Sequence, residues 1–286
     1  MQAHCVSRRT LLKAGVLGIT ALAGCTQDSD TADGATPTSV PEDSVFRDIS
    51  FEGPYLVVRL QDDHTVTRLN LIGPDGSLFA QTGVATGETT ARIRVLDIRA
   101  GLGTYEHYTP GQHELVAVSD QDTTSRVIDL VPDIRIVDIT QYRGGDRISD
   151  LSKLAVTVEN IGTAPTWVYD ITYRDAPNAA TNDELIDGAG IPYISIPQEP
   201  DDLILLPDDQ RTYVGTRSPL LLRNQRGQTC NGHSELTVVV GTASGDSLEQ
   251  HIEATLGGDV HSVGLTDEYV CSDVSTQPAK SSDSDV

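Results

Sequence analysis

The sequence predicts an all-β protein: two β-sandwiches in tandem, behind a cleaved export segment and a flexible polar tether. Three observations carry this expectation. Short runs rich in Val, Ile and Thr recur between clusters of Gly, Pro, Asn and Asp through residues 45–271. The first half holds seven such runs and no apolar period of the helical kind. The chain has 286 residues, enough for two cores of ordinary size.

Residues 1–24 read as an address. Ser7-Arg8-Arg9-Thr10-Leu11-Leu12-Lys13 has the form of a twin-arginine export signal, with Arg8 and Arg9 as its paired cations. The apolar stretch behind it, 14–24, is too short for a membrane span, which needs about 20 residues. It ends in Leu22-Ala23-Gly24-Cys25, which resembles a lipobox. The resemblance implies a signal peptide over 1–24 and lipidation of Cys25, which would tie the chain to membrane lipid on the extracellular side. The other reading is an ordinary cleaved signal with a cysteine beside it. The twin-arginine route carries folded proteins, and motifs of this kind are receptor-read addresses.

The chain has 20 Lys+Arg against 42 Asp+Glu, a formal charge of -22, and Asp outnumbers Glu 30 to 12. Such a field repels nucleic acid, so no nucleic-acid partner is expected. Three of the bases (Arg8, Arg9 and Lys13) and no acid lie in 1–24, so the remainder carries -25. With an export signal, a lipobox, only three lysines and an excess of Asp, the chain resembles a surface lipoprotein of a halophilic archaeon. That resemblance implies a fold that needs molar salt, where carboxylates hydrate the surface and their repulsion is screened. The other reading is a merely acidic surface in ordinary salt.

Residues 25–44 are polar and hold Asp28, Asp30, Asp33, Pro37 and Pro41, the composition of a disordered tether. The first sandwich, 45–131, is expected to hold strands at 45–51, 55–60, 66–72, 78–81, 91–97, 114–118 and 126–130. Gly73-Pro74-Asp75-Gly76 supplies the residue types of a tight reversal. Arg92-Ile93-Arg94-Val95 alternates as a strand with one wet face does. The Pro110-Gly111 turn before Glu114-Leu115-Val116-Ala117-Val118 resembles the late-strand segment of immunoglobulin-like and fibronectin-like domains.

The second sandwich is expected over 132–271, with a strand at 134–139. Leu154-Ala155-Val156-Thr157-Val158-Glu159-Asn160-Ile161-Gly162-Thr163-Ala164-Pro165 resembles the CARDB (cell-adhesion-related) type of immunoglobulin-like domain. There a strand ends in an Asn-x-Gly-x-Ala-Pro turn, with Asn and Gly tolerating a left-handed backbone and Pro stopping the ladder. Leu206-Pro207-Asp208-Asp209-Gln210-Arg211 fits the acidic turn before the next strand. Residues 175–202 have no counterpart in that pattern and read as an inserted loop, and 272–286 as a disordered tail. The resemblance implies a fold and a surface role, and carries no catalytic residue.

With Cys5 in the signal and Cys25 lipidated, Cys230 and Cys271 remain, and in an exported chain they are expected to form a disulfide. The alternative is a metal site using Cys230-Asn231-Gly232-His233. No catalytic residue, metal site or cofactor is assigned. A blue-copper centre usually wants an axial Met and a His soon after its Cys; the one Met is residue 1, and no His follows Cys271. Gly245-Asp246-Ser247-Leu248 spells a lipase/esterase motif, but its flanks read as a hairpin turn and the closing Asp-x-x-His is absent. Glu106, His107, His113 and Glu114 surround one turn without a recognised metal spacing. Asp120/Asp122, Asp201/Asp202 and Asp208/Asp209 lack the ligand count of a dedicated calcium loop.

The expected function is that of a membrane-anchored extracellular lipoprotein, a non-catalytic binding, adhesion or structural module of the cell envelope. Its partner would be an envelope protein or a glycan. The leading surface is the inserted loop, through Tyr193 and Ile194 in Ile191-Pro192-Tyr193-Ile194-Ser195-Ile196-Pro197, a run more apolar than a free loop needs. The same run has a plainer reading, as cover for its own core or an edge strand. The alternative functions are an accessory subunit of an exported enzyme or transport system, and a hydrolase with an unrecognised site.

Overall fold

The computed structural model describes residues 45–99, 104–186, 192–223, 229–264 and 267–279. Arg8, Arg9, Cys25 and the tether to residue 44 lie outside the described residues, as do 280–286. Among the described residues every regular element is a strand or a short 3₁₀ turn, and every strand pairing is antiparallel. The protein is an all-β sandwich fold.

In chain order the first strands are β1 (Phe46–Glu52), β2 (Tyr55–Leu60), β3 (Val66–Ile72), β4 (Leu78–Gly83) and β5 (Thr90–Arg94). They are followed by β6 (Leu96–Arg99), β7 (Thr104–His107), β8 (Gly111–Ser119) and β9 (Thr123–Leu130). One sheet has the order β1-β2-β5 and the other β4-β3-β8-β9. Their inner residues Phe46, Leu56, Val58, Leu69, Leu71, Ile93 and Leu115 are buried in the core. This is the Greek-key order used by immunoglobulin-like sandwiches. The 73–76 reversal forms as expected: Gly76 N–H donates to Gly73 O at 2.9 Å with Gly76 at φ 79°.

The expected single strand over 91–97 is corrected. Ala91 and Ile93 point inward and Arg92 and Arg94 outward, but Val95 and Leu96 are then both buried, which breaks the period of two. Both of their amides donate to Pro54 O, at 2.9 and 3.3 Å, and the chain leaves the β2 edge there. The residues beyond pair with β7, a strand of four residues that the sequence reading did not find.

The second group of strands is β10 (Ile134–Gln141), β11 (Leu154–Asn160), β12 (Val168–Arg174), β13 (Gln210–Val214) and β14 (Leu222–Arg223). It ends with β15 (His233–Thr242), β16 (Ser247–Val263) and β17 (Glu268–Pro278). The sheets are β10-β11-β13 and β12-β15-β16-β17-β14, so no sheet mixes strands β1–β9 with strands β10–β17. The two groups meet where the β6–β7 hairpin lies on Pro165-Thr166-Trp167. The Tyr105 ring stacks on Trp167 with centroids 5.6 Å apart, and Tyr108 Oη donates to Pro165 O at 2.6 Å. His107 is held between them. Its Nδ1–H donates to Tyr108 O at 2.5 Å, and Nε2 accepts from the Thr166 hydroxyl at 3.3 Å. Burial drives the His107 pKa down from 6.5 to about 4.

The Asn160–Pro165 turn is built differently from the left-handed turn expected. Neither Asn160 nor Gly162 has a positive φ. The buried Asn160 side chain accepts from Gly162 N–H (3.0 Å) and Asp133 N–H (3.2 Å) and donates to Ala164 O (2.8 Å). Gly162 is required by contact instead, because a Cβ there would lie 2.2 Å from Asp133 N.

A second correction concerns the expected disordered tail from 272. Residues to Pro278 belong to β17, which pairs with β16 from Val263↔Glu268 to Ile252↔Pro278. Few of its side chains are apolar, so periodicity did not mark it; backbone pairing and one buried network hold it. Buried Gln141 donates to Leu151 O (2.8 Å) and Cys271 O (2.9 Å), and its Oε1 accepts from Val274 N–H at 3.1 Å. Thr276 Oγ1 donates to Ile139 O.

Candidate functional site

The inserted segment is largely a cover. After β12 the chain makes 3₁₀ turns at Ala179–Thr181 and Pro200–Leu203 before reaching β13. Tyr193 N–H donates to Tyr169 O at 2.7 Å, and Tyr193 O accepts from Thr216 N–H at 3.2 Å. Ser195 N–H donates to Val214 O at 2.7 Å. The Tyr193–Ser195 stretch therefore joins the outer edge of β12 to the end of β13. Ile194 is buried and fills the gap beneath, while Tyr193 is 44% exposed and Ile196 42%. Of the two residues singled out from sequence, only Tyr193 presents surface.

Tyr193 also roofs an ion pair that the sequence reading missed. Asp170, on β12, has no solvent exposure, and a charge in that position requires a partner. Arg217 Nη1 donates to Asp170 Oδ1 at 2.6 Å and to Ile171 O at 3.1 Å, and Nη2 stands 3.7 Å from Asp183 Oδ2. The Tyr193 ring covers the guanidinium at 5.5 Å. One charged residue in the β-branched and aromatic run Val168-Tyr169-Asp170-Ile171-Thr172-Tyr173 was the available signal. Beside it, Tyr173 Oη is buried without a hydrogen-bond partner, and burial raises the phenol's pKa.

Beyond Ser195 the segment diverges from β13 and does not return until Leu203, whose carbonyl accepts from Tyr213 Oη at 2.6 Å. The divergence opens a groove of about 390 Å³, within the range of small ligand sites. Ser195, Ile196 and Pro197 form one wall, Asp202 and Leu203 the end, and Arg211, Thr212 and Tyr213 of β13 the other wall. β13 is the last strand of the β10-β11-β13 sheet, so its far edge borders this groove. A second groove, of about 380 Å³, lies between Asn178 and Arg223.

The remaining sequence candidates fall elsewhere. Cys230 and Cys271 form a disulfide with Cα atoms 5.6 Å apart, which ties the approach to β15 to β17. Their thiols are thereby committed, and the Cys230/His233 metal alternative falls away. Ser247 begins β16 directly after the hairpin turn Ala243–Asp246, where Gly245 has φ 97° and Thr242 N–H donates to Asp246 O at 3.0 Å. Its surroundings are a two-strand reversal and not the strand-to-helix elbow of the esterase motif. His107 lies against Thr166 and His113 is buried in the first core, its Nδ1–H donating to Gly111 O at 3.0 Å. No group of three His, Cys, Asp or Glu side chains converges among the described residues. Among them, too, no helix is long and apolar enough to cross a membrane.

No protein-family model matches this chain, and no curated protein is detectably similar to it in sequence.

Proposed function

We propose that the chain is a non-catalytic binding module of the cell envelope, exported by the twin-arginine route and anchored through lipidated Cys25. Its second sandwich is read as CARDB-like, and its working surface as the groove beside β13. The observation that carries this reading is the contrast within the inserted segment. Ile194 and Leu203 are sunk in the core, while Ile196 stands 42% exposed on the groove wall. A segment serving only as cover has no need to leave this apolar side chain in water beside an open strand edge. The Cys230–Cys271 disulfide supports an oxidising compartment outside the cytosol.

The test is capture from salt-extracted envelopes by the immobilised protein, wild type against Ile196→Asp. Ile196 is exposed, so the variant keeps the wild-type unfolding midpoint, and the captured partner is lost. Tyr193→Asp is the less clean variant, because it brings a second carboxylate to Arg217. Undiminished capture by folded Ile196→Asp overturns the assignment of the groove.

A further inference from the structure

We infer that the groove takes an extended peptide, which adds to β13 as a fourth strand of the β10-β11-β13 sheet. This deepens the binding-module reading and rests on it. The argument is one of backbone parity. Within a strand, the N–H and C=O of a given residue point to the same side, and successive residues alternate.

Two hydrogen bonds at opposite ends of β13 fix which residues face which way. Asn160 N–H donates to Asp209 O at 3.0 Å, so Asp209 points toward β11. Ser195 N–H donates to Val214 O at 2.7 Å, so Val214 points away from it. Counting inward from either end gives the same result. Arg211 and Tyr213 bond β11, where they pair with Val158 and Val156, and Gln210 and Thr212 direct their backbone groups outward. Outward from Thr212 lies the groove. The inserted segment satisfies this edge only at Val214 and Thr216, through Ser195 N–H to Val214 O and Thr216 N–H to Tyr193 O on either side of the Ile194↔Gly215 bridge, then departs. The amide and carbonyl of Thr212 are thus a strand-addition template between two walls.

The surroundings select the occupant. Ile196, Pro197 and Leu203 offer apolar contact to alternate side chains of an incoming strand. Asp202 at the end of the groove and one guanidinium, Arg211, line it, and the residues flanking them in sequence add the exposed carboxylates Glu199, Asp201, Asp208 and Asp209. An extended peptide with Lys or Arg between apolar residues is complementary to that rim.

The experiment has two parts, both on the folded protein. In the free protein, hydrogen exchange read by NMR is expected to be at least 100-fold faster at the Gln210 and Thr212 amides than at Arg211 and Tyr213. A display library of random twelve-residue peptides is then selected on the wild type. Enriched peptides are expected to carry basic residues among apolar ones, to protect the Thr212 amide, and to bind Thr212→Pro at least tenfold more weakly. That proline removes an outward N–H from an edge strand, a position where proline is tolerated, and the exposed Thr212–Thr157 hydroxyl bond (2.8 Å), so the variant folds with at most a small drop in midpoint. Protection of Thr212 in the free protein overturns the inference; if it grows with concentration, the occupant is a second copy of the chain. Failure to enrich any peptide also overturns it. Peptides insensitive to Thr212→Pro but lost on Ile196→Asp leave the binding module standing and refute strand addition. Peptides insensitive to both refute the groove itself.

Discussion

Acid should loosen the junction at His107, and by an amount that the structure sets. The imidazole is neutral there, donating from Nδ1 to Tyr108 O and accepting at Nε2 from Thr166, and its pKa is held at about 4 against an ordinary 6.5. The unfolded chain takes up the proton first. Stability from this residue is therefore complete above pH 6.5, is lost as pH falls below that value, and levels off below about 4. A gap of roughly 2.5 pH units at about 1.36 kcal/mol per unit is ~3 kcal/mol in full, of which about 2 kcal/mol is gone at pH 5. His113 contributes in the same direction, since burial lowers its pKa too, so wild type alone would not isolate His107. The comparison is with His107→Asn, which keeps a donor near Tyr108 O and cannot titrate. Urea unfolding is followed at pH 7.5 and 5.0 through Trp167, the only tryptophan, which stacks on Tyr105 at the same junction. Wild type should lose about 2 kcal/mol more than the variant between the two pH values. Equal losses would mean that the imidazole is already protonated, or reached by water, in the folded state, and would refute the account of the junction.

Two further outcomes follow from buried features of the second sandwich. Reduction of Cys230–Cys271 should raise the mass by two protons and lower stability by up to about 4 kcal/mol on the chain-entropy estimate for this closure, measured by urea unfolding with and without reductant. Arg217→Met should cost ~3–5 kcal/mol by leaving Asp170 buried and unpaired, whereas Arg217→Met with Asp170→Leu should recover most of it. A double variant as unstable as the single one would show that the pair is needed for its charge.

Strands legible in the sequence were those marked by local signals. Val66–Ile72 falls at the expected bounds through its alternation, and Tyr55–Leu60, an apolar run buried on both faces over Leu56–Val58, through its flanking turn residues; both are local signals. β7 escaped because Thr104-Tyr105-Glu106-His107 has no apolar alternation. Its side chains answer to Trp167 and Thr166, about 60 residues away in sequence. β17 escaped for the same reason, being specified by the β16 edge and by Gln141. At the candidate site, the apolar run around Tyr193 and Ile194 was visible as too apolar for a free loop. Which residue faces in and which faces out depends on the hydrogen bonds of Tyr193 to Tyr169 and Thr216. Thr212 carried no signal at all, since its part depends on backbone direction and not on side-chain type.

The Gln141 network also sets an order of events. Gln141 bonds Cys271 across 130 residues of chain, so the first strand of the second sandwich must wait for the last. On the proposed twin-arginine route, which exports folded proteins, this closure would happen in a reducing interior, before any disulfide can form. The amide of Gln141 and the hydroxyl of Thr276 would then hold β17 in place during passage, and Cys230–Cys271 would seal outside an arrangement already made. The covalent bond in this picture is a latch fitted after the door has shut, and its value lies in keeping the last strand from being lent to a neighbour.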